Sequence, residues 1–175
     1  MKSLTHYIQE KLIIKKSNKY KYFPQSKLEL REIIENRIKD EGNEVDLNDI
    51  DVSKITNMED LFWGIEFNGD ISQWDVSNVK NMSDMFVNCF KFNKDISSWD
   101  VSNVKNMSEM FIGCENFNYD ISNWNVSNVT DMTSMFNGCK SFNQDISSWD
   151  VSKVKKHYFI FTNCAIQDKY KPKFK

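Results

Sequence analysis

The segment Asp75-Val76-Ser77-Asn78-Val79 recurs as Asp100-Val101-Ser102-Asn103-Val104, as Asn125-Val126-Ser127-Asn128-Val129 and as Asp150-Val151-Ser152-Lys153-Val154, at a constant step of 25 residues. Trp74, Trp99, Trp124 and Trp149 keep the same step, as do Ile71, Ile96, Ile121 and Ile146, and Cys89, Cys114, Cys139 and Cys164. An earlier copy opens at Asp51-Val52-Ser53 and runs 24 residues, so the chain holds about five copies, the last degenerate. A unit this short cannot bury its own apolar face, so the copies must stack. Stacking in register at strand spacing, roughly 4.8 Å, turns each repeated residue into a ladder.

The Ile, Trp and Val ladders, with Met82/Met107/Met132, Phe86/Phe111/Phe136 and Phe92/Phe117/Phe142, form the predicted interior. At about 1.5–3 kcal/mol for each large side chain fully buried, they supply most of the stabilisation. Short strands are expected around Ile71–Val76 and its copies. A turn of helix is expected at Ser83-Asp84-Met85-Phe86, with the hydroxyl of Ser83, Ser108 or Thr133 capping its first amides.

A stack of this kind needs covered ends. Ser26-Lys27-Leu28-Glu29 reads as a capping box opening an amphipathic helix over 26–41, with Leu30, Ile33, Ile34 and Ile38 on one face and Gly42 as its stop. A strand at Tyr20 to Phe23 is expected before it. The domain organisation is therefore an N-terminal segment and linker (1–19), a helical cap (20–46), a repeat body (47–164) and a basic tail (165–175). At the far end His157 replaces the methionine of earlier copies.

The unit Phe92-Asn93-Lys94-Asp95-Ile96-Ser97-Ser98-Trp99-Asp100-Val101-Ser102-Asn103-Val104-Lys105-Asn106-Met107-Ser108-Glu109-Met110-Phe111 resembles the BspA-like leucine-rich-type repeats. That variant is abundant in mycoplasma lipoproteins, Bacteroidetes proteins and some phage and viral genomes. The resemblance covers roughly residues 47–164. It implies a leucine-rich-repeat-like solenoid of short parallel strands and short helical turns, used for adhesion or protein recognition and without catalytic activity. Residues 3–14 read as a short amphipathic element, either packed on the cap or acting as a docking helix. Met1-Lys2-Ser3-Leu4 through Ile8-Gln9-Glu10 resembles the N-terminal capsid-targeting segments of tailed-phage internal head proteins.

Charge narrows the partner classes. Residues 41–150 hold six Lys/Arg and nineteen Asp/Glu, a net of −13, whereas residues 1–40 hold ten and five and residues 151–175 hold seven and one. An acidic body repels phosphate, so a nucleic-acid partner is expected only at the basic termini. No apolar run reaches the roughly 18–20 residues of a membrane span, and no secretory signal opens the chain, so no membrane partner and a cytoplasmic or virion location are expected.

Chemistry is sparse. Four cysteines in one ladder cannot converge on one metal ion and are expected to be buried, reduced thiols. The acidic ladder Asp70, Asp95, Asp120 and Asp145 fits structural turns better than calcium, with Asn68, Asn93, Asn118 and Asn143 as a hydrogen-bonded ladder beside it. Only His6 and His157 are present, and no phosphate loop, nucleophile motif or metal-ligand pair occurs, so neither enzyme activity nor a cofactor is expected. Recognition remains. Positions that differ between copies are free of the demands of stacking and are the candidate contacts: Gln73, Phe90, Lys91, Lys94, Ser98, Glu115, Tyr119, Asn123, Lys140 and Gln144. Phe90 and Tyr119 stand out as aromatics where other copies are polar or small. The expected function is a non-catalytic protein-interaction scaffold. The alternatives are a virion-associated protein with an N-terminal docking segment and an inhibitor of a host enzyme acting through the acidic body.

Overall fold

The computed structural model describes residues 19–174; the amphipathic and targeting readings of residues 1–16 lie outside them. Helix α1 (Lys27–Glu41) starts where the capping box places it, with Ser26 Oγ accepting the Glu29 amide and the Glu29 carboxylate accepting the Gln25 amide. It stops at Gly42, whose φ of 90° suits glycine and whose N–H reaches the Ile38 carbonyl. Leu30 and Ile34 are fully buried against the repeat body, and Ile33 and Ile38 pack at its margin. Arg37 fastens the helix by bonding both carboxylate oxygens of Asp49, at 2.8 and 3.1 Å, together with Glu41 and the Asp46 carbonyl.

The repeats lie on one another in register as coils 43–67, 68–92, 93–117, 118–142 and 143–166. Their Met, Phe and Ile ladders are fully buried and the four in-register tryptophans are nearly so. The Phe86 and Phe111 rings stack at 5.5 Å with 1° between their planes, and Trp74 and Trp99 at 6.4 Å with 2°.

The expected leucine-rich-repeat-like solenoid with short parallel strands and helical turns is corrected by the backbone. Among the described residues regular structure is confined to α1 and the 3-10 turn η1 (Asp168–Tyr170). In place of strands there are isolated parallel bridges, Asn57 to Asn81, Asn81 to Asn106, Asn106 to Asp131 and Asp131 to Lys156. Tyr20–Phe23 contributes one such bridge, Tyr22 to Ile50. The reason is local. Asp70 Oδ1 takes the Ser72 amide and Asp75 Oδ1 takes the Ser77 amide, while bonds from Trp74 N to Ile71 O and from Val79 N to Val76 O close turns across the supposed strand. The supposed helical turn fails because Asp84 and Asn88 both sit at φ 60°. Each later copy repeats this pair of left-handed positions, at Glu109 and Gly113, Ser134 and Gly138, and Phe159 and Asn163. The Ser83 amide bonds Asn81 Oδ1 where a hydroxyl cap was expected.

Between these left-handed residues the amides alternate in use. Those of Met82, Asp84, Phe86 and Asn88 reach forward to the carbonyls of Asn106, Ser108, Met110 and Ile112 in the next coil, each at 2.9 Å. Those of Val87 and Cys89 close turns within the coil. On the other sides, side chains form the rungs. The Trp99 indole donates to the Ile71 carbonyl at 3.1 Å, the Cys114 thiol to the Phe86 carbonyl at 3.0 Å, and the Asn93 amide reaches Asn68 Oδ1 at 3.0 Å. The repeated Trp, Cys and Asn thus supply the joins that a sheet would draw from its backbone.

Candidate functional site

All ten candidate contacts are exposed or half-buried, but they divide by what their side chains do. Six are committed to a neighbouring coil. Lys91 pairs with Glu66 at 3.1 Å and Lys140 with Glu115 at 2.7 Å. Ser98 Oγ bonds the Ser72 carbonyl, Asn123 Nδ2 the Ser97 carbonyl, and Gln144 Nε2 both the carbonyl and Oδ1 of Asn118. Variation at those positions therefore exchanges one join for another. Gln73, Phe90, Lys94 and Tyr119 make no such side-chain bond among the described residues, and Phe90 and Tyr119 are 46% and 38% exposed.

Tyr119 and Asn123 share a shallow groove with Asp95, Ser97, Asp120 and Ser122. Phe90 lies outside it, so the two singled-out aromatics do not meet there. A second groove contains Glu59, Asp60, Asp84 and Glu109 with Val87 and Trp63. Trp63 is 57% exposed and was not singled out from the sequence. Its signal was present, because it is the one tryptophan of five that breaks the 25-residue step. Burial pushes the Asp84 carboxyl up, opposed by the Ser83 hydroxyl and reinforced by Glu59 and Asp60.

The acidic ladder is made of turn residues. Asp95, Asp120 and Asp145 each accept the amide two residues on, as Asp70 does. Burial alone would raise Asp70, but the Ser72 amide and hydroxyl, Asn48 and Lys94 together leave it below its ordinary value of 3.8. Asp131 is likewise raised by burial and lowered further by Thr133 and by Lys156. A carboxyl depressed in the folded state contributes stability above its unfolded value and loses it as pH falls through the folded one. The melting temperature is therefore expected to stay level near neutrality and to fall below about pH 3.8. Asn125 holds the same kind of turn by accepting the Ser127 amide. The double variant Asp70→Asn, Asp131→Asn keeps an amide-accepting oxygen in each turn but lacks the ionised carboxylates, so it is expected to be less stable at neutral pH and to show a flatter acid limb. An unchanged acid limb in thermal melts across pH would remove these two carboxylates from the account.

The thiols are poor nucleophiles. Burial pushes Cys89 up to about 12 and raises Cys114 and Cys139 as well. Among the described residues no three His, Cys, Asp or Glu side chains are grouped to hold a metal ion, and no helix is long and apolar enough to cross a membrane.

Register-stacked coils with outward positions that vary define a tandem-repeat protein. The chain belongs to the family described as Mycoplasma protein of unknown function, DUF285, which matches residues 29–120 and again 95–171. That family is compatible with the repeat resemblance and carries no assigned activity. No curated protein and no solved structure matches the chain.

Proposed function

We propose that the chain is a non-catalytic protein-binding module. The observation that carries this is the presence of outward side chains, Gln73, Phe90 and Tyr119, that differ between copies and make no side-chain bond to a neighbouring coil among the described residues. They stand on a frame whose amides and rungs hold each coil against the next, so contacts are presented at little ordering cost. Cys89, Cys114 and Cys139 are buried and Cys164, against the expectation for the whole ladder, is half-buried; the three buried, poorly ionising thiols suit a reducing compartment and no thiol chemistry.

The test is affinity capture from source cells with the intact chain and with the double variant Phe90→Ala, Tyr119→Ala. A protein retained by the first and lost by the second is expected, whereas an identical captured set would sink the reading. The groove of Glu59, Asp60, Asp84 and Glu109 beside Trp63 favours a second reading, in which the acidic body holds a basic protein. That reading predicts strong weakening of the captured complex by salt and by Trp63→Ala. The virion-docking reading rests on residues 1–16 and is tested by deleting them.

A further inference from the structure

The joins between coils have a direction. Along the face of residues 58–64 and its copies the earlier coil donates amides and the later coil supplies carbonyls, from Met58 N to Asn81 O through to Gly138 N to Thr162 O, whereas on the neighbouring side the order is reversed, the amides of Lys80, Lys105, Thr130 and Lys155 donating back to the carbonyls of Thr56, Lys80, Lys105 and Thr130. Along the first of these faces the stack has an acceptor end and a donor end, and the two are treated differently. At the acceptor end α1 lies across the first coil, with Lys27 Nζ on the Glu59 carbonyl at 3.2 Å, and Arg31 on the Asp60 carbonyl at 2.5 Å and on the Trp63 carbonyl at 3.4 Å. At the donor end the amides of Phe159, Phe161 and Asn163 repeat the forward-pointing positions, and among the described residues none has an acceptor.

The side chains at that end depart from the repeat. Tyr158 and Phe159 stand where the preceding coil carries Thr133 and Ser134, and they are 66% and 71% exposed. Phe159 has φ 57°, a left-handed conformation that a bulky side chain adopts at a cost. The tail covers only part of the end, stacking Phe174 on His157 and placing Lys171 Nζ 5.5 Å from the Phe161 ring centre. Residues 151–175 carry seven lysines and one aspartate.

We infer that this donor end is a docking edge for an acidic segment of another protein, which lays its carbonyl oxygens along the Phe159, Phe161 and Asn163 amides and packs against Tyr158 and Phe159. Polarity and charge select that occupant. A second copy stacked head to tail meets an acceptor end already covered by α1, and one stacked tail to tail sets amides against amides and lysines against lysines. A segment rich in carboxylates meets both the free donors and the excess positive charge. This edge shares no residue with the outward positions Phe90 and Tyr119, so failure of one assignment leaves the other standing.

The probe is a blocked peptide with the sequence of residues 55–66, which bears Glu59, Asp60 and Glu66 and no basic residue, and whose carbonyls already accept α1's cations in the intact chain. In the isotope-labelled full chain the amides of Phe159, Phe161 and Asn163 are expected to exchange fast while those of Ser134, Phe136 and Gly138 exchange slowly. Saturating peptide is expected to slow the first set by about tenfold or more. The variant Tyr158→Thr, Phe159→Ser installs the residues of the preceding coil, keeps the fold and the amides, and is expected to weaken binding by about tenfold. Three results overturn the inference: unchanged exchange at saturating peptide, equal binding of a peptide with its three acids replaced by lysine, and self-association of the chain that protects the same amides.

Discussion

Trp99→Ala is expected to lower the unfolding free energy by about 3–5 kcal/mol, the range for truncating a buried large aromatic. Trp99 is only 3% exposed, stacks on Trp74 and lies 6.5 Å from the Phe86 ring, so its removal opens a cavity reaching two coils. Trp99→Phe separates the two contributions. It keeps most of the ring and loses the indole bond to the Ile71 carbonyl, which still accepts the Trp74 amide. A cost of about 1–3 kcal/mol is expected for it, one hydrogen bond plus a small void. Trp63→Ala supplies the control. With Trp63 57% exposed, its truncation is expected to fall within about 0.5 kcal/mol of the parent. Urea unfolding followed by circular dichroism reads all three, and equal midpoints for the Trp63 and Trp99 variants would falsify the in-register interior.

Leu30→Ala and Ile34→Ala in α1 are each expected to cost about 2–5 kcal/mol, because both side chains are fully buried in the same cluster as the coils. The sharper expectation concerns cooperativity. Arg37 ties α1 to Asp49 and to the Tyr22 ring, and Lys27 and Arg31 tie it to the first coil's carbonyls. Helix loss seen in the far ultraviolet and exposure of the ladder tryptophans seen by fluorescence should therefore move together in both variants. A helix signal that shifts while the fluorescence midpoint stays fixed would show α1 to be an attachment that leaves the stack indifferent.

The sequence made the interior legible because identical residues at a fixed step can only mean identical surroundings; each named Met, Phe and Ile ladder is buried throughout the coils 68–92, 93–117 and 118–142. The N-terminus of α1 was legible because Ser26 and Glu29 carry the capping chemistry themselves. The backbone of the coil was not. A run such as Ile71–Val76 alternates like a strand, and only the carboxylates of Asp70 and Asp75, each folding onto an amide two residues away, break it into turns. The left-handed residues were hidden for a related reason. Glycine marks them at 113 and 138, and Asp84 is of a type that tolerates them, but Glu109 and Ser134 occupy such positions without any signal in their residue type. At the candidate surface, variation between copies correctly picked exposed positions, yet it could not separate Lys140, which pairs with Glu115, from Tyr119, which joins nothing.

The side-chain rungs also bear on how such a molecule changes length. The repeated joins link each residue to its own kind of neighbour, Asn to Asn and indole to isoleucine carbonyl, so excising residues 93–117 would bring Asn118 over Asn68 and Trp124 over Ile71 with the same chemistry on both sides of the seam. Growth and shrinkage in whole units thus leave the remaining floors intact, and the distance between the helix at one end and the basic tail at the other becomes a heritable quantity set by copy number.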